Sequence, residues 1–315
     1  MLASRVVVAN PSVDTMSTAS ENSAQIYLVK SSISVMEGLE CVNHLNNILS
    51  TDITSLDKGM RMDGLICDSN GRVTDIVNCY HMGQSILIVG IDSNTDSTRE
   101  LLTKGIPWNQ NLSLLDGNGV LEHLRIIGRH PSSLVESLYP ELSELSEHKY
   151  SEFENVVFSK FMHNEHEIID LIVRSDNTDF YGRLERHDYK ISKLEDWEFA
   201  RITVGYPGSN EANTKFLPHD IGMINLISLN KGCYPGQEIH ARLDSRSKPK
   251  KRMVILATGD ALEIGKHSLS DGNSVNVTSK ALRDGLHLSM GICSVDVSND
   301  ATLVNCNGYS KLTLI

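Results

Sequence analysis

No two cysteines stand at CxxC spacing, and the six present, Cys41, Cys67, Cys79, Cys233, Cys293 and Cys306, are scattered through 315 residues. That excludes a cysteine zinc ribbon and a small disulfide scaffold, and it suits a reducing compartment. No apolar run approaches the ~20 residues needed to span a bilayer. The opening "MLASRVVVANPS" lacks the long uncharged core of a secretory signal. Glycine-rich stretches occur without the strand–GxGxxG–helix context, so neither a dinucleotide site nor a P-loop is indicated. Positive charge is also in short supply. Lys and Arg number 29 against 40 Asp and Glu, a net −11, which argues against wholesale binding to nucleic acid but leaves a local basic patch open. The expected protein is soluble and cytoplasmic. Mitochondria are the alternative in a eukaryote, because Arg5 and serines precede the first acid, Asp14.

What is present is enough for a folded protein of two or three domains, with 40% hydrophobic and 22% charged residues. Val35, Leu39, Val42, Leu45, Ile48 and Leu49 fall near helical spacing and predict a helix that stops at Lys58-Gly59. "GLICDSNGRVTDIVNCY" predicts a hairpin turning at Asp68-Ser69-Asn70-Gly71, and "QSILIVGID" another strand. "STRELLTKG" reads as helix, "WNQNLSLLD" as strand, and "GVLEHLRIIGRHPSSLVESL" as strand then helix. The acidic stretch 136–154 reads as a surface connection. "EIIDLIVRS" predicts a strand, and "SKLEDWEFARITVGYP" a helix ended by Gly205 and Pro207. From Lys251 onward, short β-rich pieces separated by Gly, Asp and Asn predict a small antiparallel barrel or sandwich. Helices and strands mix without a βαβ repeat, so the fold class is α+β.

The chemistry concentrates in "LNKGCYPGQEIHARLDSRSKPKKRMVIL", Leu229 to Leu256. Gly232 and Gly236 bracket Cys233-Tyr234-Pro235, a composition for a tight turn that presents a side chain. Cys233 is either that presented thiol or a buried filler. Lys231, His240 and Arg242 favour a thiolate if the fold brings them to the sulfur. Gln237 and Glu238 either recognise a polar heterocycle or satisfy the turn's backbone. Arg242, Arg246, Lys248, Lys250, Lys251 and Arg252 form a basic run against the single Asp244, suited to phosphates but without an aromatic ring for base stacking. His163 and His166 are three apart, a spacing that on a helix would suit a metal, though a solvated surface is the better reading in so acidic a context. No metal site is assigned.

KGCYPGQE resembles the KGC[YF]xGQE signature of the YgfZ/GcvT-like folate-binding proteins, relatives of the glycine-cleavage aminomethyltransferase (T-protein). "GLECVNHLNNILSTDITSL", "SNGRVTDIVN", "RITVGYP" and "FLPHDIGMINLISLNKGCY" resemble further family segments in the family's order, with Pro218-His219-Asp220 where Pro-Gln-Glu is commoner. The resemblance implies a three-part, ring-like aminomethyltransferase-type fold with a small C-terminal antiparallel β-barrel. It divides the chain into an N-terminal extension, 1–26, that is a candidate for disorder, a first folate-binding-type α+β part, 27–135, a second α+β region with the signature loop, 136–250, and the barrel, 251–315. It further implies a tetrahydrofolate ligand, polyglutamylated or not, and a role in iron–sulfur cluster assembly or repair and thereby in tRNA modification. Partners would be reduced folate and iron–sulfur client or assembly proteins. By analogy Cys233 is the exposed thiol, and Lys231, Tyr234, Gln237, Glu238 and Arg242 supply loop shape and folate-side contacts.

Two rivals stand beside this accessory role. A folate-dependent aminomethyltransferase would use an acid to orient the amine or the folate nitrogen. Asp75 is the candidate, although Thr74-Asp75 stands where aminomethyltransferases show a paired Asp-Asp. The plainer expectation for Asp75 is a hairpin residue facing solvent. The third possibility is direct RNA binding through the basic run 242–252.

Overall fold

A computed structural model describes residues 23–91, 95–142, 145–246, 249–298, 300–304 and 310–314. Most of the 1–26 extension, together with Lys248 of the basic run and Cys306, lies outside the described residues.

Runs rich in β-branched residues dominate, and they assemble into three sheets. The first to be completed along the chain contains β2 (Ser32–Glu37), β3 (Arg61–Cys67), β4 (Val73–His81), β5 (Ser85–Gly90) and β6 (Ser113–Asp116), in the antiparallel order β3-β4-β5-β2-β6. The predicted hairpin is β3–β4, turning through Asp68–Arg72. A second sheet takes β1 (Gln25–Val29) from the start of the chain. It joins β7 (Leu121–Ile127), β8 (Tyr150–Phe153), β9 (Val156–His163), β10 (His166–Arg174) and β11 (Ile191–Ser192) in the order β11-β1-β7-β10-β9-β8. Only the β1–β11 pairing there is parallel. The C-terminal sheet is wholly antiparallel, with β12 (Lys251–Thr258), β13 (Gly265–Ser268), β14 (Ser274–Arg283), β15 (Leu286–Ser294) and β16 (Ser310–Leu314) in the order β13-β14-β15-β12-β16.

Helices fill the gaps: α1 (Cys41–Ile48), α2 (Thr95–Thr103), α3 (Pro131–Leu138), α4 (Thr178–Arg186), α5 (Leu194–Thr203) and α6 (Gln237–Arg246). The helix expected from Val35 starts later. Ile33 and Val35 are β-branched and lie in β2, paired on both sides by β5 and β6, and Leu39 is exposed before α1 begins. The acidic stretch 136–154 is not merely a surface connection, because it begins in α3, ends in β8 and contributes Tyr139 and Leu145 to a core with Phe158. His163 and His166 pair across the β9–β10 hairpin rather than along a helix. His163 is half-buried, with its Nε2 3.0 Å from Gly205 O and its ring against Tyr206.

Each sheet touches the other two. Ile33, Tyr80, Leu87 and Val89 of the first pack on Val157 and Ile172 of the second. Leu65, Val73 and Ile76 share a core with Met253, Ile255, Met290 and Ile292 of the C-terminal sheet. Helix α5 closes the circuit by burying two faces. Trp197, Ala200 and Val204 pack against Tyr27 and Phe161 of the second sheet, while Phe199 and Ile202 enter the core shared with the C-terminal sheet. A side chain as fully buried as Ile202 contributes roughly 1.5–3 kcal/mol. Arg201, also buried, links the helix onward through Glu211 at 3.1 Å and Ser279 at 2.8 Å.

Candidate functional site

The signature loop is held by backbone contact with the β3–β4 turn. Gly236 has φ +82°, and a Cβ there would lie 2.5 Å from Gly71 Cα and 2.7 Å from Asp68 O, so no other residue fits. Opposite it, Asp68 shapes the turn by accepting hydrogen bonds from the Asn70 and Arg72 amides. His240, on the first turn of α6, approaches Gly71 O with Nε2 at 2.8 Å and the Tyr234 hydroxyl with Nδ1 at 3.3 Å. A carbonyl only accepts, so Nε2 carries the proton and Nδ1 accepts from Tyr234. Burial, the main cause, pushes the imidazole pKa below its usual value and keeps it neutral.

Lys231 anchors the other end of the loop. Its Nζ donates to Leu49 O at 2.9 Å and Thr51 O at 2.7 Å, just beyond α1, and lies 5.5 Å from the Tyr234 ring centroid. Partial burial pushes its pKa down to about 8. Gln237 closes the loop on itself, its Nε2 donating to Lys231 O at 3.2 Å. Cys233 is exposed within this frame, whereas Cys41, Cys67, Cys79 and Cys293 are buried. The three cations expected near the sulfur have other partners. Lys231 binds carbonyls, His240 is neutral, and Arg242 pairs with Glu238.

Glu238 and Arg242 stand one helical turn apart, with side chains 76% and 62% exposed, and form an ion pair with each other in solvent. Lys231, Tyr234 and Gln237 therefore belong to one hydrogen-bonded loop, while the Glu238–Arg242 pair sits outside it. Asp75 lies elsewhere and does not face solvent, being 0% exposed. Its carboxylate accepts from the Ile76 and Ile91 amides at 2.8 and 3.1 Å and from Thr98 Oγ1 at 2.8 Å, joining β4 to the end of β5 and to α2.

A second constellation, which sequence reasoning missed, lies where the first two sheets meet α5. Arg125 on β7 is 0% exposed. Its Nε donates to Asp170 Oδ1 at 2.5 Å and its Nη2 to Oδ2 at 3.2 Å. Asp170 Oδ1 also receives His123 Nε2 at 2.9 Å, and His123 Nδ1 meets Ser31 Oγ at 2.7 Å. Burial alone would raise the Asp170 pKa, but Arg125 and His123 outweigh it and hold the carboxyl well below its ordinary range. Burial, the largest influence on His123, pushes that imidazole down. Ser31, His123 and Asp170 thus form a hydrogen-bonded chain, but with serine on Nδ1 and aspartate on Nε2, the reverse of a hydrolase triad, and all three are buried with the aspartate bound by the arginine. The guanidinium is also flanked by rings, with Tyr206 at 4.6 Å and Trp197 at 5.3 Å from its central carbon.

Arg125 Nη1 is buried without a hydrogen-bond partner. Arg125 belongs to the wall of a cavity of about 160 Å³, its guanidinium shut off from solvent, and the other walls include Lys30, Ile91, Trp197, Glu198, Arg201 and Tyr206. The accessible polar groups of this wall include Glu198 and Lys30, and an aromatic wall with a few such groups is what a bound polar heterocycle would use. Ile91, whose amide Asp75 holds, lines the same cavity. No residue of the signature loop lines it. The only sequence signals were polar residues at inward positions of apolar strands, His123 and Arg125 in "LEHLRII" and Asp170 in "EIIDLIVRS". Among the described residues, no three His, Cys, Asp or Glu gather into a metal-ligating group, and no helix is long and apolar enough to cross a membrane.

The three mutually packed sheets define an aminomethyltransferase-type fold. The chain superposes on the glycine cleavage system aminomethyltransferase T of Bartonella henselae with a TM-score of 0.74, covering 95% of this chain and 87% of that one at 14% identity. No protein-family model matches the chain. Its curated homologues include the tRNA-modifying protein YgfZ of Sodalis glossinidius, 23% identical over 85% of this chain and 84% of the relative. That of Pectobacterium atrosepticum is 24% identical over 90% and 87%. These likenesses bear out the resemblance to the YgfZ/GcvT-like family read from KGCYPGQE.

Proposed function

We propose that this chain is a tetrahydrofolate-binding accessory protein that supports iron–sulfur cluster assembly or repair in the cytoplasm and, through iron–sulfur enzymes, tRNA modification. The observation that carries the reading is the cavity walled by Trp197, Tyr206, Glu198 and Lys30. A cavity of about 160 Å³ is well below the ~300–1,000 Å³ of sites that enclose a drug-sized ligand. It suits the bicyclic head of a folate, with Trp197 offering a face, Lys30 a donor and Glu198 an acceptor, while the glutamyl tail extends outward. Bound tetrahydrofolate would supply nitrogens able to carry a one-carbon unit. The protein's part is to hold the ligand in an apolar, fixed setting. Cys233, exposed on a braced loop, is the thiol offered to an iron–sulfur client or assembly partner. The names of the curated homologues support the link to tRNA modification. Asp75, which the transferase reading needs as an acid at the substrate, is buried with its carboxylate in three hydrogen bonds. This favours the accessory role.

Calorimetric titration with reduced folates tests the reading, followed by assay under glycine-cleavage aminomethyl-transfer conditions. Binding without turnover, weakened at least about tenfold in Trp197→Ala by loss of one aromatic contact of ~1.5 kcal/mol, is expected. No binding by the wild-type chain would remove the folate, and turnover would reinstate the transferase.

A further inference from the structure

The basic run of Arg242 to Arg252 is divided by the fold. Arg242 is paired in solvent with Glu238. Lys250 and Lys251, eight and nine residues on, enter a different setting at the start of β12. There they meet Lys266 of β13 along the wall of an open cleft of about 600 Å³.

The strand register explains the cleft. Along a strand alternate residues share a face, and pairing places Lys266 opposite Asn276, Ser268 opposite Ser274, Asn276 opposite Ile292 and Lys251 opposite Ser294. These residues lie on one face of the C-terminal sheet. Farther along, the same face carries Met253, Ile255 and Met290, which are buried under Phe216 and α5. The covering chain stops short, so one corner of the sheet stays open and is floored by Phe216 and Ile292. The opposite face of the sheet, with Val254, Leu256, Val275 and Val277, is core.

This corner is unlike the rest of the chain in charge. Acids outnumber bases 40 to 29, yet among the described residues no carboxylate lines the cleft. Lys250, Lys251 and Lys266 are exposed, and among the described residues none is ion-paired. Asp271, beside the lining residue Gly272, has its carboxylate occupied by the Asn273 amide and side chain and by the Ser298 amide. The side chains of Ser268, Ser274 and Asn276 stand beside the lysines as further donors.

We propose that this cleft binds a ligand carrying several phosphoryl groups, the shared chemistry of a nucleoside polyphosphate and of an RNA backbone. Three separated ammonium groups act as point charges, the mode in which lysine holds phosphate, whereas bidentate capture of carboxylates favours arginine forks. Hydroxyl and amide donors suit phosphoryl oxygens. The lining offers no exposed ring to a base, so the charged chain carries the affinity and the base is left unread.

The test titrates the full-length chain at 50 and 200 mM salt with sodium tripolyphosphate, ATP, an unmodified tRNA transcript and a poly-glutamate peptide of matched charge. Tripolyphosphate is expected to bind, to weaken with salt, and to weaken at least about tenfold in the double variant Lys251→Glu, Lys266→Glu, since loss of even one charge-assisted contact counts ~1.5 kcal/mol. Both side chains are exposed, so the folded circular dichroism signal should persist. Lys251→Gln with Lys266→Gln gives the same comparison should charge reversal disturb the sheet. Stronger binding of tRNA with a steep salt slope identifies RNA as the source, and equal or better binding of tripolyphosphate and ATP identifies a small polyphosphate. Failure of wild type to bind either, unchanged affinity in both double variants, or preference for poly-glutamate overturns the proposal.

Discussion

Asp170 and Arg125 form a fully buried ion pair in which one carboxylate receives two guanidinium hydrogen bonds, at 2.5 and 3.2 Å, across neighbouring strands. Removing the carboxylate's charge leaves Arg125 uncompensated in the interior, with Arg61, only 4.0 Å from Asp170, beside it. Breaking such a pair from one side costs about 3–5 kcal/mol. Asp170→Asn, which keeps the shape, is therefore expected to lower the stability by that order, read as a lower urea midpoint at unchanged slope. A variant as stable as wild type would show that the pair contributes nothing net.

The same group sets the acid limit of the fold. His123 has its pKa lowered by burial, and Asp170 has its own held down by Arg125 and His123 against the effect of burial. In both cases the unfolded chain takes up a proton at a higher pH than the folded one does. Stability from each is complete above the unfolded value, ~6.5 for His and ~3.9 for Asp, and is lost as pH falls through the folded value. Thermal unfolding followed from pH 7 to pH 4 should show a falling Tm that begins below about pH 6.5. A Tm constant to pH 4 would contradict the assignment to His123, while that to Asp170 is read only below about pH 4.

Gly236→Ala places a methyl group 2.5 Å from Gly71 Cα at a φ of +82°. The clash is with backbone on both sides and cannot be relieved by a rotamer change. A loss of roughly 1–3 kcal/mol is expected, together with detachment of the loop from the β3–β4 turn, seen as faster amide exchange at residues 68–72. Arg242→Ala, in the exposed pair, should change stability by less than about 0.5 kcal/mol.

Thiol labelling separates the cysteines. Burial raises the pKa of Cys41 to about 11 and those of Cys67 and Cys79 to about 12, while Cys233 is exposed. Reactivity follows thiolate character and access. Iodoacetamide at pH 8 followed by peptide mapping should modify Cys233 well before Cys41, Cys67, Cys79 or Cys293. Simultaneous labelling of the buried four would mean that the native packing opens easily.

The parts legible in the sequence were local. KGCYPGQE is contiguous, so the loop, its bracketing glycines and its thiol are visible as a unit, and Asp68-Ser69-Asn70-Gly71 marks the hairpin turn on which it rests. Glu238 and Arg242 share that motif but are drawn outward by their helical spacing. The Arg125 cavity was hidden because its walls come from the end of β1, the residue after β5, β7, α5 and the turn at Tyr206, segments up to 180 residues apart between Val29 and Ser209. The strands read in "LEHLRII" and "EIIDLIVRS" are β7 and β10. The charged residues inside those runs were the sign that the buried face does something other than pack. Val35 was assigned to a helix because it happens to lie at helical spacing from Leu39 and Val42, and only the pairing of β2 between β5 and β6 decides otherwise.

Strand β1 precedes every other described strand, yet its partners are β7 and β11, with Ile26 opposite Ile126 and Ile191. On the ribosome, at ~5–20 residues per second, the 100 residues from Ile26 to Ile126 take about 5–20 s to make. The sheet of β2 to β6, contiguous in the chain, can form in that interval while β1 waits with an unpaired edge. The newborn protein therefore passes through a stage with one finished sheet and an orphan strand at its amino end, a stage at which a chaperone would find its natural handle.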